Sequence, residues 1–315
     1  MKPRALILTM LAAALCCCDG GDSPTAARTA PPQQPTRLEN ADTQNFSGNN
    51  AYVHCAALCA LGPRTSGSPA YARQLEYLET HLRAAGWQTF RDSFAAPNGT
   101  PMTNLRATFG TPGAARGILL SCHIDTKSGI GDNFVSADDG ASGAAVLLEA
   151  ARILAADAGT AAGVELIFLD GEESFAPRMT EEDGLYGSRH DVQRRAGSLP
   201  RFLVNLDMVG GAGNTIAIPA LDTSQFMYEQ YAAAVAALGL SPEKWTAYPG
   251  SYMDDHQPYL RAGVETLNLI ALFREGNWWH TERDNMERIS PAKLAEAGRL
   301  TLHLVRRLLP VSPNP

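Results

Sequence analysis

Short apolar runs alternate along the chain with segments whose apolar residues recur at helical spacing. Four apolar runs predict buried strands: GILLSCHI (117–124), GVELIFLD (163–170), RFLVNLDMVG (201–210) and ETLNLIAL (265–272). Helical spacing predicts four helices: YARQLEYLETHLRAAG (71–86), ASGAAVLLEAARILAADAG (141–159), TSQFMYEQYAAAVAALG (223–239) and SPAKLAEAGRLTLHLVRRLL (290–309). The alternation is typical of an α/β fold in which helices cover both faces of a sheet.

Glycine and capping residues mark where three of these helices should begin or end. Gly86 and Gly159 follow the first two helices and predict their C-terminal ends. Ser290 and Pro291 open the last helix, because a serine N-cap followed by proline is a favoured helix start.

The length and composition allow one large domain. With 315 residues, 45% of them hydrophobic, the chain can form a domain of roughly 250 residues or more. The 33 aspartate and glutamate residues outnumber the 26 lysine and arginine residues, so the net charge is −7. This balance excludes the basic surface of a nucleic-acid-binding protein. We expect a monomer.

The first residues have the pattern of an export signal. Lys2 and Arg4 precede the apolar stretch ALILTMLAAAL, which is too short to span a bilayer, and Cys16, Cys17 and Cys18 follow it. We therefore predict a signal peptide over residues 1–18, either of lipoprotein type or for plain secretion. The protein would be periplasmic or extracellular, with a membrane contact only through an N-terminal lipid.

A polar linker and a folded domain follow the signal peptide. Residues 19–50 are rich in proline, alanine, threonine, glutamine and asparagine, which predicts a flexible tether before a domain over 51–311. Within that domain Cys55 and Cys59 lie four residues apart on one face of a short helix. Two small buried residues are favoured there over a disulfide or a metal-binding pair.

Acidic and histidine side chains cluster just after the predicted strands, where open α/β sheets bind their ligands. Five of them are candidate metal ligands: His123, Asp139, Glu173, Asp207 and His280. Each alone has an ordinary explanation, since a strand-end aspartate more often caps a helix and a lone histidine more often lies in the core or at the surface. Together, carboxylates and imidazoles without a thiolate favour zinc in a catalytic site.

Glu172 is the acidic neighbour of the candidate ligand Glu173. Adjacent residues at a strand end point in different directions, so one carboxylate can bind an ion while the other faces a substrate. Glu172 is thereby a candidate general base and acid, and the alternative is a solvated loop glutamate. Asp125, two residues after His123, is expected to orient that imidazole, and Lys127 is expected at the surface.

Eight segments in the body of the chain form an ordered series of motifs. They are LGPRTSGSPAY (61–71), SCHIDTK (121–127), SADDGASGAAVLLEAARIL (136–154), FLDGEES (168–174), LYGSRH (185–190), NLDMVGG (205–211), DDHQPYLRAGV (254–264) and WHTERDN (279–285). The series resembles the zinc-dependent M28 peptidase family, and within it the animal-type glutaminyl cyclases. The resemblance implies a three-layer α/β/α sandwich with a mixed central sheet, and makes 51–311 an M28-type catalytic domain.

The resemblance also implies a role for each ligand candidate. Asp139 matches a bridging metal ligand, which in the family often precedes a cis peptide bond; Gly140 would lower its steric cost. Glu173 and His280 match the other ligands of the single zinc in cyclases. The second metal site of aminopeptidases is matched by His123 and Asp207, so the chain is expected to hold Zn²⁺, as one ion or two. Glu172 matches the catalytic acid and base.

Several residues favour a cyclase over an aminopeptidase. Asp254 matches a hydrogen-bonding acid of glutaminyl cyclases, and the resemblance assigns Trp278 or Trp279 and Phe273 to the wall of the substrate pocket. Asn268 departs from the cyclase pattern, which has a histidine there, and the loop after Glu173 lacks an expected tryptophan. Expected substrates are therefore peptide or protein N-termini, for a glutaminyl-peptide cyclotransferase first and a zinc aminopeptidase second. A non-catalytic tethered binding module is the third hypothesis.

Overall fold

The apolar runs form the centre of one mixed β-sheet. The computed structural model of the chain describes residues 43, 45–111, 117–272 and 278–309. The sheet has eight described strands: β1 (Gln88–Ala95), β2 (Pro101–Thr108), β3 (Ile118–His123), β4 (Val164–Leu169), β5 (Phe202–Asp207), β6 (Ile216–Pro219), β7 (Trp245–Tyr248) and β8 (Glu265–Ala271). Their order across the sheet is β1-β2-β4-β3-β5-β8-β6-β7.

The four central strands run parallel to one another. In register, Ile118 of β3 pairs with Val164 of β4 and with Phe202 of β5, and Asp207 of β5 pairs with Ile270 of β8. The hairpin of β1 and β2 joins β4 antiparallel, and β6 joins β8 antiparallel. Because β4, β3, β5 and β8 are parallel, their carboxyl ends meet at one edge of the sheet.

Helices cover both faces of this sheet. The described helices are α1 (Gly48–Cys59), α2 (Pro69–Ala84), α3 (Gly143–Leu154), α4 (Ala158–Ala162), α5 (Tyr186–Arg194), α6 (Gln225–Ala237), α7 (His256–Arg261) and α8 (Pro291–Leu308), with an irregular turn at Ala137–Ser142 and a 3₁₀ turn at Met286–Arg288. Leu120 of β3 belongs to the large core beneath α3 and α8, whereas Leu119 packs on the opposite face with Tyr259 of α7. The alternation along one strand confirms the α/β/α sandwich.

The predicted strands and helices all form, mostly with shorter ends, although α2 begins at Pro69, two residues before its predicted start. The second predicted helix ends at Leu154 rather than at Gly159, because residues 158–162 make the separate helix α4. Ser290 caps α8 as predicted, with its hydroxyl accepting from the amide of Lys293. Cys55 and Cys59 are buried free thiols, as expected. β1, β2, β6 and β7 were missed, since β1 alternates half-buried with exposed residues, β2 mixes apolar with polar residues, and β6 and β7 have four residues each.

Two of the sequence predictions concern residues outside the described part of the chain. The signal peptide at 1–18 lies entirely there, and so does most of the linker at 19–50. The folded structure already includes α1 from Gly48, three residues before the predicted domain start. None of the described helices is long and apolar enough to cross a membrane.

One buried arginine ties α5 to the sheet. The Arg195 guanidinium contacts Glu165 of β4, with 3.1 Å between Nη1 and Oε2, and also donates to Asp191 of α5. Burial by itself raises the pKa of Glu165, but the hydrogen bonds and charges of Arg195 and Arg106 outweigh it and hold this pKa below its usual value. The pKa of Asp191 is likewise lowered by Arg195 and Tyr259 against the effect of burial.

Replacing Arg195 with methionine should destabilise the fold by about 3 kcal/mol, because Glu165 and Asp191 lose their shared buried cation and keep only the less buried Arg106 and Arg194. Urea unfolding at pH 7 measures the free energy. Since both carboxylates have lowered pKa values when folded, their contribution is present at neutral pH and is lost as the pH falls through those values. The deficit should therefore shrink below about pH 4.

The matched control is Arg261→Met, which removes an exposed pair with Glu181 whose side chains are 57% and 69% accessible. Exposed pairs contribute about 0–1 kcal/mol, so this variant should unfold like the parent protein. Equal losses in the two variants would contradict the assignment of Arg195 as a buried tie.

Candidate metal centre and catalytic cavity

The five candidate ligands converge at the carboxyl edge of the sheet. His123 and Asp207 are the last residues of β3 and β5, and Glu173 follows β4 by four residues. Asp139 lies in the irregular turn before α3, and His280 lies beyond β8. Parallel pairing of β4, β3 and β5 brings the strand-borne residues together, as the sequence predicted.

The ligand atoms form two groups that share Asp139. In the first group, Nε2 of His123 lies 3.1 Å from Oδ1 of Asp139 and 3.3 Å from Oδ1 of Asp207. In the second, Nε2 of His280 lies 3.0 Å from Oε1 of Glu173 and 3.4 Å from Oδ2 of Asp139. Each set of three ligand atoms lies within 4.8 Å, close enough to hold one ion. One carboxylate thus faces two prospective metal positions with its two oxygens.

The unpartnered atoms at this edge fit a metal ion. Both ring nitrogens of His123, one oxygen of Asp139 and one of Asp207 are buried without a hydrogen-bond partner among the described residues. Buried polar atoms left in this state are rare and costly, and an ion that accepts a lone pair from Nε2 of His123 and from the two carboxylate oxygens would satisfy three of the four. Carboxylate and imidazole donors suit zinc.

The Asp139 turn is held in place by two further aspartates. Asp284 accepts hydrogen bonds from the amides of Asp138 and Asp139, at 2.8 and 3.1 Å. Asp138 accepts from the amide of Gly210 at 2.7 Å, three residues after the ligand Asp207. These contacts connect the turn to the segments that carry His280 and Asp207.

The backbone of the Asp139 turn is unusual. Ser136 has a left-handed φ of 48°, and Gly140 has a φ of 115° that a side chain would strain. The cis peptide bond implied after Asp139 is absent, because all described peptide bonds are trans. Arg64, fully buried, donates to the carbonyls of Val135 and Ser136 at 2.7 and 3.1 Å, which fixes the entry to the turn. No pattern in the chain indicated this role of Arg64.

Glu172 lies in the cavity but outside both ligand groups. It is 7% exposed, and its amide and that of Glu173 each donate to the carboxylate of Asp125 at 3.2 Å. Burial raises the pKa of Glu172 well above its usual value; the His123 imidazole opposes this, and neighbouring carboxylates reinforce it. Glu172 is therefore a buried carboxyl and not a solvated loop residue.

Asp125 contacts the backbone more closely than the imidazole. Its Oδ1 lies 3.6 Å from Nδ1 of His123, longer than a hydrogen bond, while the amides of Glu172 and Glu173 donate to its two oxygens.

Asp170, the first acid of FLDGEES, accepts from Ser66 at 2.6 Å and from the Thr103 amide at 2.7 Å. It stabilises the hairpin side of the site and is not among the grouped ligands.

Asp254 ends a row of polar side chains that crosses three strands. Ser121 donates to Asn205 at 2.6 Å, and Asn205 donates to Asn268 at 3.1 Å and to Asp254 at 3.0 Å. Asn268 also donates to Asp254, at 2.7 Å. The strand register sets these side chains next to one another. Asn268 and Asp254 are therefore buried behind the cavity wall.

A cavity of about 500 Å³ opens beside the ligands. Trp279 lines it and stacks on His280 with ring centroids 3.8 Å apart, whereas Trp278 is only 9% exposed and packs in the core. Phe273 lies outside the described residues.

The prediction that Lys127 lies at the surface is wrong: it is 5% exposed, and its ammonium group donates to Ser174 Oγ at 2.8 Å.

Substituting Asp284 with asparagine should weaken zinc binding by about 10- to 100-fold, because the amide group cannot accept from both backbone amides of the Asp139 turn. Competition with a chromophoric chelator measures the affinity directly. Asp132→Asn, on an exposed residue, provides the matched control. Unchanged affinity in the Asp284 variant would show that the turn keeps its shape without this carboxylate.

Comparisons with known proteins show the family of the chain. The family model described as peptidase family M28 matches residues 104–305. A glutaminyl-peptide cyclotransferase-like protein of Bos taurus is 34% identical over 273 residues, covering 75% of this chain and 70% of its own.

Two solved structures share the fold. The glutaminyl cyclase of Porphyromonas gingivalis has a TM-score of 0.77 at 29% identity, covering 84% of this chain and 99% of its own. A Zn-dependent exopeptidase from Parabacteroides distasonis has a TM-score of 0.73 at 26% identity, covering 82% and 98%. Because the family model matches more than half of the chain and the Bos taurus relative is 34% identical to it, this chain belongs to peptidase family M28.

Proposed function

We propose that the chain is a zinc-dependent glutaminyl-peptide cyclotransferase, which converts an N-terminal glutamine to pyroglutamate and releases ammonia. The observation that carries this proposal is the buried carboxyl of Glu172 in the cavity, beside the grouped ligands Asp139, Glu173 and His280 but outside them. The similarity to proteins named glutaminyl-peptide cyclotransferase and glutaminyl cyclase supports it.

In this proposal Asp139, Glu173 and His280 hold the zinc of the cyclase reaction. A bound zinc ion polarises the side-chain amide carbonyl of the substrate glutamine and stabilises charge on its oxygen. His123 and Asp207 complete the second group with Asp139 and either hold another ion or support the shared carboxylate.

Glu172 moves the proton. Its carboxylate accepts a proton from the α-amino group, whose nitrogen bonds to the side-chain amide carbon and closes a five-membered ring. As the bond from that carbon to the amide nitrogen breaks, Glu172 returns the proton and ammonia leaves. Both reacting groups belong to one residue, so their orientation in the cavity supplies much of the rate.

Trp279 and Asp254 have supporting roles in this proposal. Trp279 lines the cavity next to the ligand His280 and offers a flat apolar wall to the glutamine side chain. Asp254 is near enough to Glu172 for its charge to raise the pKa of that carboxyl. Because Asn205 and Asn268 hold Asp254 behind the cavity wall, we assign it to setting the protonation of Glu172, which carries the transferred proton.

The alternative is a zinc exopeptidase that removes N-terminal residues. It is favoured by one specific observation, the completeness of the second ligand group at His123, Asp139 and Asp207. In that reaction Glu172 would deprotonate a water molecule that attacks the first peptide bond. The two reactions differ in product: ammonia and a pyroglutamyl peptide, or a free amino acid.

Export to the periplasm or cell exterior also belongs to the proposal, with peptide and protein N-termini as substrates and a monomeric enzyme. The charged and apolar start of the sequence and its three cysteines support it. Mass spectrometry of the mature chain should show cleavage of the signal: a lipid on Cys16, Cys17 or Cys18 at the new N-terminus for a lipoprotein signal, and an unmodified N-terminus for plain secretion. A retained N-terminal methionine would contradict export by this signal.

Glu172→Gln should lower kcat for a glutamine-initiated peptide by about 10²- to 10⁴-fold, because the amide cannot carry the proton. Ammonia release measures the rate. Zinc content, measured on the same samples, should remain at the parent level, since Glu172 is outside both ligand groups. Glu243→Gln, on an exposed residue, is the control and should keep full activity.

Chelation of zinc should abolish ammonia release, and added zinc should restore it. Metal analysis during this titration gives the number of ions at full activity, near one or near two per chain. Release of free glutamine instead of ammonia from the same peptide would contradict the cyclase assignment and support the exopeptidase.

A further inference from the structure

The loop after Glu173 places one arginine at the mouth of the catalytic cavity. Arg178 lines the cavity together with Pro177 and Met179, and its side chain is solvent-exposed. Within the part of the chain that the structure describes, its guanidinium has no hydrogen-bond or ion-pair partner. An unpaired cation at a substrate cavity is available to a ligand.

The loop backbone around Arg178 is fixed. Both oxygens of Asp183 accept hydrogen bonds, from the amides of Phe175 and Ala176 at 2.8 Å each. The amide of Thr180 donates to the carbonyl of Asp183 at 3.1 Å, and Arg189 donates to the carbonyls of Glu181 and Gly184. Arg178 is therefore presented from a braced loop, which lowers the entropic cost of using it for binding.

The acidic residues of the same loop already have partners. Asp183 is occupied by the two amides and by the Tyr186 hydroxyl at 2.9 Å. Glu181 lies 3.4 Å from Arg261, and Glu182 accepts from the Thr180 hydroxyl at 3.2 Å. None of these carboxylates neutralises Arg178.

The charges of the cavity are separated along its depth. The acidic lining residues Asp139, Glu172, Glu173 and Asp207 are buried at its floor. Lys127, also in the lining, is buried and donates to the carbonyl of Ser174 at 2.7 Å. Among the described residues that line the cavity, the exposed cation at the mouth is thus Arg178, opposite in sign to the floor.

We propose that Arg178 selects peptide substrates that carry aspartate or glutamate at the second or third residue. This inference rests on the proposed function, because it needs the peptide N-terminus at the metal end of the cavity. The residues that follow the N-terminal glutamine then pass through the mouth, where a carboxylate can pair with the guanidinium. Since this contact is remote from the reacting atoms, it acts through KM more than through kcat.

The test compares Gln-Glu-Ala-amide, Gln-Gln-Ala-amide and Gln-Lys-Ala-amide, together with the series Gln-Ala-Glu-amide, Gln-Ala-Gln-amide and Gln-Ala-Lys-amide. The amidated ends remove the C-terminal carboxylate as a competing partner. The zinc-loaded parent enzyme should favour glutamate over glutamine about three- to fivefold in kcat/KM in one of the series. This preference should fade as salt is raised to 0.5 M, because exposed pairs are screened.

Arg178→Gln should abolish the preference, and Arg178→Glu should reverse it towards lysine. Arg73→Glu, on an exposed residue of α2 outside the cavity lining, makes the same change in net charge and should keep the parent preference. A preference for glutamate that survives in Arg178→Glu, or its absence in the parent, overturns the inference.

Failure of the proposed function gives a different result. If no peptide releases ammonia, the cyclase assignment fails, but calorimetry with the zinc-loaded protein still measures whether glutamate-containing peptides bind more tightly than glutamine-containing ones. If free glutamine is released, the preference for glutamate is measured from the rate of that release. Arg178 is tested in each case by the dependence on the second and third residues alone.

Discussion

Burial of several carboxylates side by side is the constraint on which this site depends. Asp139, Glu173 and Asp207 are each less than a tenth exposed and lie around two imidazoles. Like charges in a poorly solvated site repel one another, and here burial raises the pKa of Glu173 and Asp207. A divalent cation removes this cost, so the arrangement that is unfavourable without metal is suited to binding one.

The scaffold opposes that repulsion mainly with backbone amides. Asp125 accepts hydrogen bonds from the amides of Glu172 and Glu173, and Asp284 accepts them from the amides of Asp138 and Asp139. In each case a carboxylate near the centre binds the backbone of a ligand-bearing segment. These hydrogen bonds position the ligand-bearing segments, and such positioning is the geometric requirement for catalysis by a rigid site.

In the proposed reaction the same cavity combines catalysis at its floor with peptide recognition at its mouth. Glu172 is buried next to the ligands, where low solvation suits proton transfer, while Trp279 and Met253 are about two-fifths exposed at the opening. The loop after Glu173 contains no tryptophan and contributes Pro177, Arg178 and Met179 instead. Variation in this loop can change the preferred peptide without altering the metal centre, because the ligands lie on other segments or at the strand end.

The central strands, the principal helices and the five candidate ligands could be predicted from the chain alone, because continuous apolar runs, helical spacing and acids after strands are local patterns. The sequence could not determine which atoms meet. Three features depend instead on strand order and on the path of the irregular segments between the strands. They are the sharing of Asp139 by both ligand groups, the burial of Lys127, and the position of Trp279 rather than Trp278 at the cavity. These features are non-local, since each contact joins segments distant in the chain, and only tertiary packing selects among the positions that the sequence allows.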